Sequence, residues 1–412
     1  MVPSPRATLG AVLLLAFGAP LVAPAGGPRP PRCTGGSGLV LPEGFCAVTV
    51  AEHLGRVRQV TVLPNGDVLA ARSGDGVVLL RDTDGDGTAD LRRDVIDEAG
   101  TGIGWHEGYL WLGEPGRLVR WAWTPGDDAP RGRAEVMVDH LPTGGHSAKT
   151  FAFLGGDTLI VNIGSETNSC QQSDRSTRSP GRDPCTELEG RAGLWQFSST
   201  RPGQRQADGH RVATGLRNAM ALAVEPGTGR LFAATHGRDQ LGANWGYTDQ
   251  QNAELPAEEF MRVAPGDDFG WPYCYYDQQQ GKKVLAPEYG GDGKRIGRCA
   301  DKQVPLIGFP GHWAPMALAF ATGDQFPARY RRGAFLAFHG SWNRAPLPQQ
   351  GYRVVFIPFG PDGLPSGGYE TFAASQEGPT VLRPAGLAVG PDGSLYIGDE
   401  RSGTIWRVMA RP

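Results

Sequence analysis

The chain contains no C-x-x-C pair, no long basic run and, beyond residue 25, no apolar stretch long enough to span a bilayer. The first absence argues against a zinc knuckle or a thioredoxin-like redox pair. The second, with a formal net charge of −3, leaves no electrostatic footprint for nucleic acid. The third leaves no stable membrane span once the N-terminal segment is removed. What the chain does have is turn chemistry: 61 Gly and 34 Pro in 412 residues, with 40% hydrophobic residues. That balance suits many short strands around a sizeable core and argues against a helical bundle.

The N-terminus reads as an export signal over residues 1–25. Arg6 supplies a charge, 7–22 is nearly all apolar or small, and Ala23-Pro-Ala25 has the A-x-A form of a cleavage site. A retained anchor is the alternative. The expected product is secreted or periplasmic, and the even count of six cysteines agrees with an oxidising compartment. Fifteen connectivities exist for six cysteines. The sequence-local grouping favours Cys33 with Cys46, Cys170 with Cys185, and Cys274 with Cys299. Residues 26–46 are expected to be an extended lead-in, and 47–412 a single domain.

Within 47–412 one unit recurs: an apolar strand, a Pro/Asn/Asp/Gly turn, then a second apolar strand. Its clearest copies start at Val60, Ala221 and Leu387, and looser ones start at Ile103, Phe151 and Leu318, the last with 330–338 as its second strand. Six irregularly spaced units of this kind predict an all-β, six-bladed β-propeller, whose blades hide their edges by radial stacking. The N-terminal strand is expected to complete the last blade. The largest insertions, 168–190 and 244–301, each hold a cysteine pair and are expected to form a rim on one face, where loops carry function.

Asp82, Asp84 and Asp86 alternate ahead of Gly87, with Asp90 beyond, as in the first half of a calcium loop. Arg93 stands where the bidentate Glu belongs. A weak structural calcium site and a solvated acidic turn are both compatible with this pattern.

Around the Ala221 hairpin, Gly215-Leu-Arg217-Asn218 precedes the first strand and His236-Gly237-Arg238-Asp239 follows the second. Those points lie at one end of a hairpin, so a cation, an amide and a backbone corner converge there. Further on come Gly311-His312-Trp, His339-Gly-Ser-Trp342-Asn343-Arg344 and Gly351-Tyr-Arg. Jointly these segments resemble the glucose/sorbosone dehydrogenases, soluble quinoprotein sugar dehydrogenases that use pyrroloquinoline quinone (PQQ) and calcium. The last two segments are closest to the pyranose- and sorbosone-type branch.

The resemblance implies roles residue by residue. His146, in Gly144-Gly145-His146-Ser147, matches the general base that takes the substrate's hydroxyl proton. Ser165 and Glu166 stand where the family places its partner carboxylate. Arg217 and Asn218 match the pair that touches the quinone, and the backbone carbonyls of Gly237 and Arg238 match the cofactor's calcium ligands. Arg383 matches an arginine facing the cofactor carboxylates, and His312, Trp342, Asn343 and Arg344 fall where further cofactor contacts are expected. The glucose-type branch has a lysine near Asn343; this chain has Arg344 instead. Trp342 would stack on the quinone or pack between blades.

The expected activity is oxidation of a small sugar, polyol or related aldehyde by hydride transfer to PQQ, with an unknown electron acceptor. An exported, non-catalytic carbohydrate- or protein-binding propeller is the alternative. A metal-dependent lactonase would need carboxylates converging on the axis.

Overall fold

The computed structural model describes residues 1, 33 and 37–411. The export signal and most of the lead-in fall outside these residues. Six sheets of four or five strands, plus one two-stranded ribbon, make up the strand content. Each large sheet is one propeller blade built from sequential antiparallel strands, and the innermost strands contact one another around the axis. Blade one spans 57–96, blade two 102–139, blade three 151–214, blade four 221–309, blade five 315–375 and blade six 384–410.

The second strand of each blade is buried on both faces, so its sequence is a largely apolar run rather than an alternating one. In Val68–Arg72, Val68 and Ala70 join the cluster shared with blade six, whereas Leu69 and Ala71 join the one shared with blade two. In Gly333–Phe338 the same period of two sends Leu336 and Phe338 toward blade four, and Phe335 and Ala337 toward blade six. The core is accordingly six wedges, one between each pair of neighbouring blades.

The ring closes as expected. Phe45–Ala51 pairs antiparallel with Ile405–Ala410 and supplies blade six with its outer strand. Leu39–Val40 pairs with Glu370–Ser375 on the edge of blade five, so part of the lead-in is already sheet. All three local disulfides are present. Among the described residues no helix is long and apolar enough to cross a membrane.

Two sequence-based boundaries are corrected. The second strand of the Leu318 unit is Gly333–Phe338, preceded by a short helical turn at Ala328–Tyr330. The insertion read as 244–301 is two segments, because Glu258–Val263 is the third strand of blade four. Its two acids, Glu258 and Glu259, disguise an apolar strand. The segments before and after that strand meet the 164–192 loop. The Asn168 side chain donates to Asp239 O at 3.0 Å, and Ser169 Oγ donates to Glu288 at 2.9 Å. Trp271 Nε1 donates to Asn168 O at 3.0 Å.

Candidate active site

Every blade opens with a hairpin, so the residue before its first strand and the residue after its second meet at one end. In blade four His236 N donates to Asn218 O at 3.1 Å, which fixes this juxtaposition. Blades three to five bring such ends together around a cavity of about 190 Å³ lined by His146, Arg175, Arg217, His236, Asp239, Glu258, His312 and Trp342.

His146 is presented by a tight corner. Gly144 and Gly145 both have positive φ, 78° and 52°, and a Cβ on Gly145 would lie 2.2 Å from Glu166 O, so only glycine fits there. The fully buried Lys149 donates to Pro142 O at 2.9 Å and Ser147 O at 2.6 Å, bracing the loop from inside. His146 Nδ1 lies 2.9 Å from Ser165 O and 3.0 Å from Ser165 Oγ. A carbonyl can only accept, so Nδ1 carries the proton and the Nε2 lone pair is free. Burial first, then the Arg217 charge, pushes His146 down to about 3, which keeps the ring neutral. Ser165 therefore does the orienting. Glu166 turns away to pair with Arg191.

Arg217 lies at the same corner but is spent on protein acceptors. It donates to Asn168 O and Oδ1 at 3.1 Å each, to Gly237 O at 2.9 Å and to Asp239 Oδ2 at 3.1 Å. Asn218 is likewise engaged, its Oδ1 accepting from Asn162 at 3.1 Å. Burial favours a neutral Asp239, but Arg217, His312 and Arg175 outweigh it and hold the carboxyl far below the usual range. His236 Nε2 lies 2.8 Å from Pro315 O, so it carries the proton and leaves Nδ1 without one; burial pushes this imidazole down to about 4. His312 has an oxygen on each side, Asn252 O at 2.7 Å and Asp239 Oδ1 at 3.4 Å. Its backbone and that of Ala314 are held at φ 66° and 59°, local strain of a kind concentrated at functional sites. Glu258 accepts from Gly237 N at 3.0 Å, and burial raises it to about 7.

Blades five, six and one form the other side of the mouth. Arg383 Nη2 donates to His339 Nδ1 at 2.9 Å, so the His339 proton is on Nε2, which meets Glu400. Glu400 also pairs with Arg56 at 2.6 Å and Arg58 at 3.0 Å. Burial opposes its ionisation, but His339 and the arginines prevail and depress its carboxyl.

Some expectations need correction. Arg344 does not reach the cavity. It is buried, donating to Gly311 O at 3.2 Å, Glu254 Oε1 at 2.7 Å and Ala253 O. Asn343 does lie beside the site, with Nδ2 3.4 Å from His312 Nε2. Trp342 is 63% exposed on the rim, so it does not pack between blades. The Arg238 side chain points away to Glu288 at 2.8 Å, leaving only its backbone for the assigned role. Gly237 O already accepts from Arg217 and keeps one lone pair. In the acidic loop Asp82, Asp84 and Asp86 bring oxygens within 4.8 Å of one another, whereas Asp90 accepts from Thr83 N at 2.7 Å instead. No comparable group of three His, Cys, Asp or Glu ligands lies at the axis among the described residues.

Sequence reasoning missed Arg175, Glu258 and Glu400, and quoted His236 and Asp239 without assigning them. The compact His236–Asp239 string was a usable signal. An acid pair opening an apolar strand was another, for Glu258. Nothing local marked Arg175.

The propeller and its axial histidine–arginine corner define a class, and comparison with known proteins gives the family. The TrAA12-like family model matches residues 39–411, and the chain belongs to that family. A PQQ-dependent pyranose dehydrogenase from Coprinopsis cinerea is 24% identical over 236 residues, 48% of this chain and 31% of that protein. The chain thus matches under a third of that relative's length. The calcium structure of the Trichoderma reesei family AA12 enzyme superposes with a TM-score of 0.76 at 18% identity, covering 90% of this chain and 97% of the other. The holo form of the Coprinopsis cinerea pyranose dehydrogenase PQQ domain gives 0.74 at 20% identity, covering 92% and 98%. At these identities the structural likeness speaks for the fold.

Proposed function

We propose that this protein is an exported PQQ- and calcium-dependent dehydrogenase of a sugar or related alcohol or aldehyde. The observation that carries the reading is His146, a neutral imidazole whose Nδ1–H is fixed on the Ser165 carbonyl while Nε2 is left unprotonated in a residue lining the axial cavity. Three local disulfides support an oxidising compartment.

The residues at the mouth suit a planar polyanion. Arg58, Arg175 and Arg383 supply partly exposed cations, and the exposed Trp342 ring supplies an aromatic face. For calcium, the second lone pair of Gly237 O and the Arg238 carbonyl are the assigned oxygens. The Glu258 carboxyl, which accepts from Gly237 N at 3.0 Å, lies beside them. When bound, the quinone supplies a two-electron acceptor for the substrate's hydride.

The chain itself handles the proton. His146 Nε2 accepts it from the substrate hydroxyl, and the Nδ1–H bond to Ser165 O strengthens as the ring becomes cationic. Arg217, too well satisfied to move, contributes a fixed positive charge beside the reacting centre, which needs no reorganisation during the reaction. Its saturation is also what favours the second reading, a binding propeller without turnover.

Titration of the purified protein with PQQ, with and without calcium, followed by dye reduction over aldoses, sorbosone and polyols, separates the two. Calcium-dependent binding with turnover is expected. Absence of PQQ binding in calcium would leave the binding module as the surviving reading.

A further inference from the structure

Resting on the cofactor reading above, we infer that Arg175 supplies the guanidinium that holds a carboxylate of the cofactor at the cavity mouth, in place of the cofactor contact expected of Arg344. The two arginines differ in what they are free to do. Arg344 is 2% exposed and four of its five N–H groups are taken by Gly311 O, Ala253 O, Pro348 O and Glu254, which holds the guanidinium away from the cavity. Arg175 lines the cavity, and its side chain is 36% exposed. Its guanidinium lies over the Trp342 ring, 6.0 Å from its centre, beside the exposed indole that also lines the cavity.

Its present partners are loose or shared. Nη1 donates to Gln240 Oε1 at 3.2 Å and Nη2 to Asp239 Oδ2 at 3.0 Å, while Asp174 is 3.9 Å from Nε. Asp239 Oδ2 is the same oxygen that takes Arg217 at 3.1 Å, and Asp239 also faces His312. One buried carboxylate thus serves two guanidiniums, and the more exposed of them has only the distant Asp174 as a further acid. An incoming carboxylate matches a planar, fork-shaped donor of this kind bidentately, which a lysine at the same place could do only as a point charge.

The position is also built rather than incidental. Arg175 sits inside the loop closed by Cys170–Cys185, at φ 55°, and its N–H is fixed by Gln171 Oε1 at 2.9 Å. The backbone is left-handed at a non-glycine residue here, and the side chain lines the cavity.

The test is PQQ binding in the presence of calcium, followed by quenching of tryptophan fluorescence, for wild type, Arg175→Met and Arg175→Lys. Thermal unfolding checks that each variant is folded. Arg175→Met is expected to weaken PQQ binding about tenfold and to reduce the dependence of affinity on salt, because one charge contact is gone. Arg175→Lys is expected to recover part of the affinity and the salt dependence. Equal PQQ affinity in wild type and Arg175→Met overturns the assignment. So does a rise in substrate KM with PQQ affinity unchanged, which would give Arg175 to the substrate. If wild type itself binds no PQQ, the cofactor reading falls and takes this one with it; binding by wild type that is unaltered in Arg175→Met sinks this inference alone.

Discussion

The two sides of the axial mouth use the same residue types in different ways. On the blade three–four side the 164–192 loop and the two blade-four insertions roof the hairpin ends, with disulfides at Cys170–Cys185 and Cys274–Cys299. Arg217 there is 4% exposed and committed to Asn168, Gly237 and Asp239. On the blade six–one side no comparable loop intervenes, and Arg56 is 66% exposed although it too meets a carboxylate, Glu400. Each side pairs arginines, an acid and a histidine. Burial turns Arg217 into fixed scaffolding with a preset field, whereas the more exposed arginines, Arg56 across the mouth and Arg175 on the 164–192 loop, can exchange their partners for a ligand.

The sharpest way to break that contrast is at the base. His146→Ala should lower turnover by about 10²- to 10⁴-fold while PQQ titrates as in wild type. Undiminished dye reduction in this variant would remove His146 from catalysis.

Next is the scaffold. Arg217→Met leaves Asp239 buried without its main partner, and urea unfolding should register a loss of about 3–5 kcal/mol. Arg383→Met on the bare side loses donors to His339 only, and about 1 kcal/mol is expected. Similar losses for the two would erase the distinction drawn between the sides.

A smaller effect is expected with pH. His146 and His236 are held near 3 and 4 in the folded state against about 6.5 when unfolded. Between pH 6.5 and 4 the unfolded chain therefore binds protons that the folded chain refuses. Stability should be highest above pH 6.5 and fall steadily as pH drops through that window. His236→Gln should flatten the slope in urea midpoints taken at pH 7, 5.5 and 4.5; an unchanged slope would show that this imidazole is not held neutral.

The smallest effect concerns the acidic loop at Asp82, Asp84 and Asp86. Calcium should raise the wild-type melting temperature by a few degrees, on the order of 1 kcal/mol, and Asp82→Asn should abolish that rise. No calcium response in wild type would leave a solvated turn.

Much of this was legible before any coordinates. The turn-separated apolar pairs at Val60, Ala221 and Leu387 predicted blades because a hairpin's register is local. The Gly-Gly-His corner was legible for the same reason. Arg344 misled because it adjoins Asn343 and Trp342 in sequence, yet Trp342 is 63% exposed and Arg344 is buried. Neighbouring side chains point in different directions, and sequence does not say which one reaches the axis. Glu258 was hidden inside a stretch read as insertion, and its strand became recognisable only once Phe260 and Met261 were packed.

By itself, the sequence determined the blades and the end of each hairpin at which the histidines and arginines gather, and it favoured the local cysteine pairing that the structure shows. All of these depend on residues close together in the chain, where period, turn chemistry and loop length suffice. Only the tertiary structure decided which arginines are spent and which are free, because that depends on acceptors brought from afar. Asn168 and Asp239 reach Arg217 from separate loops, 49 and 22 residues away, and Arg175, on the same loop as Asn168, lies 64 residues from the Asp239 it shares. A charge's availability is set by its partners, and folding is what supplies them.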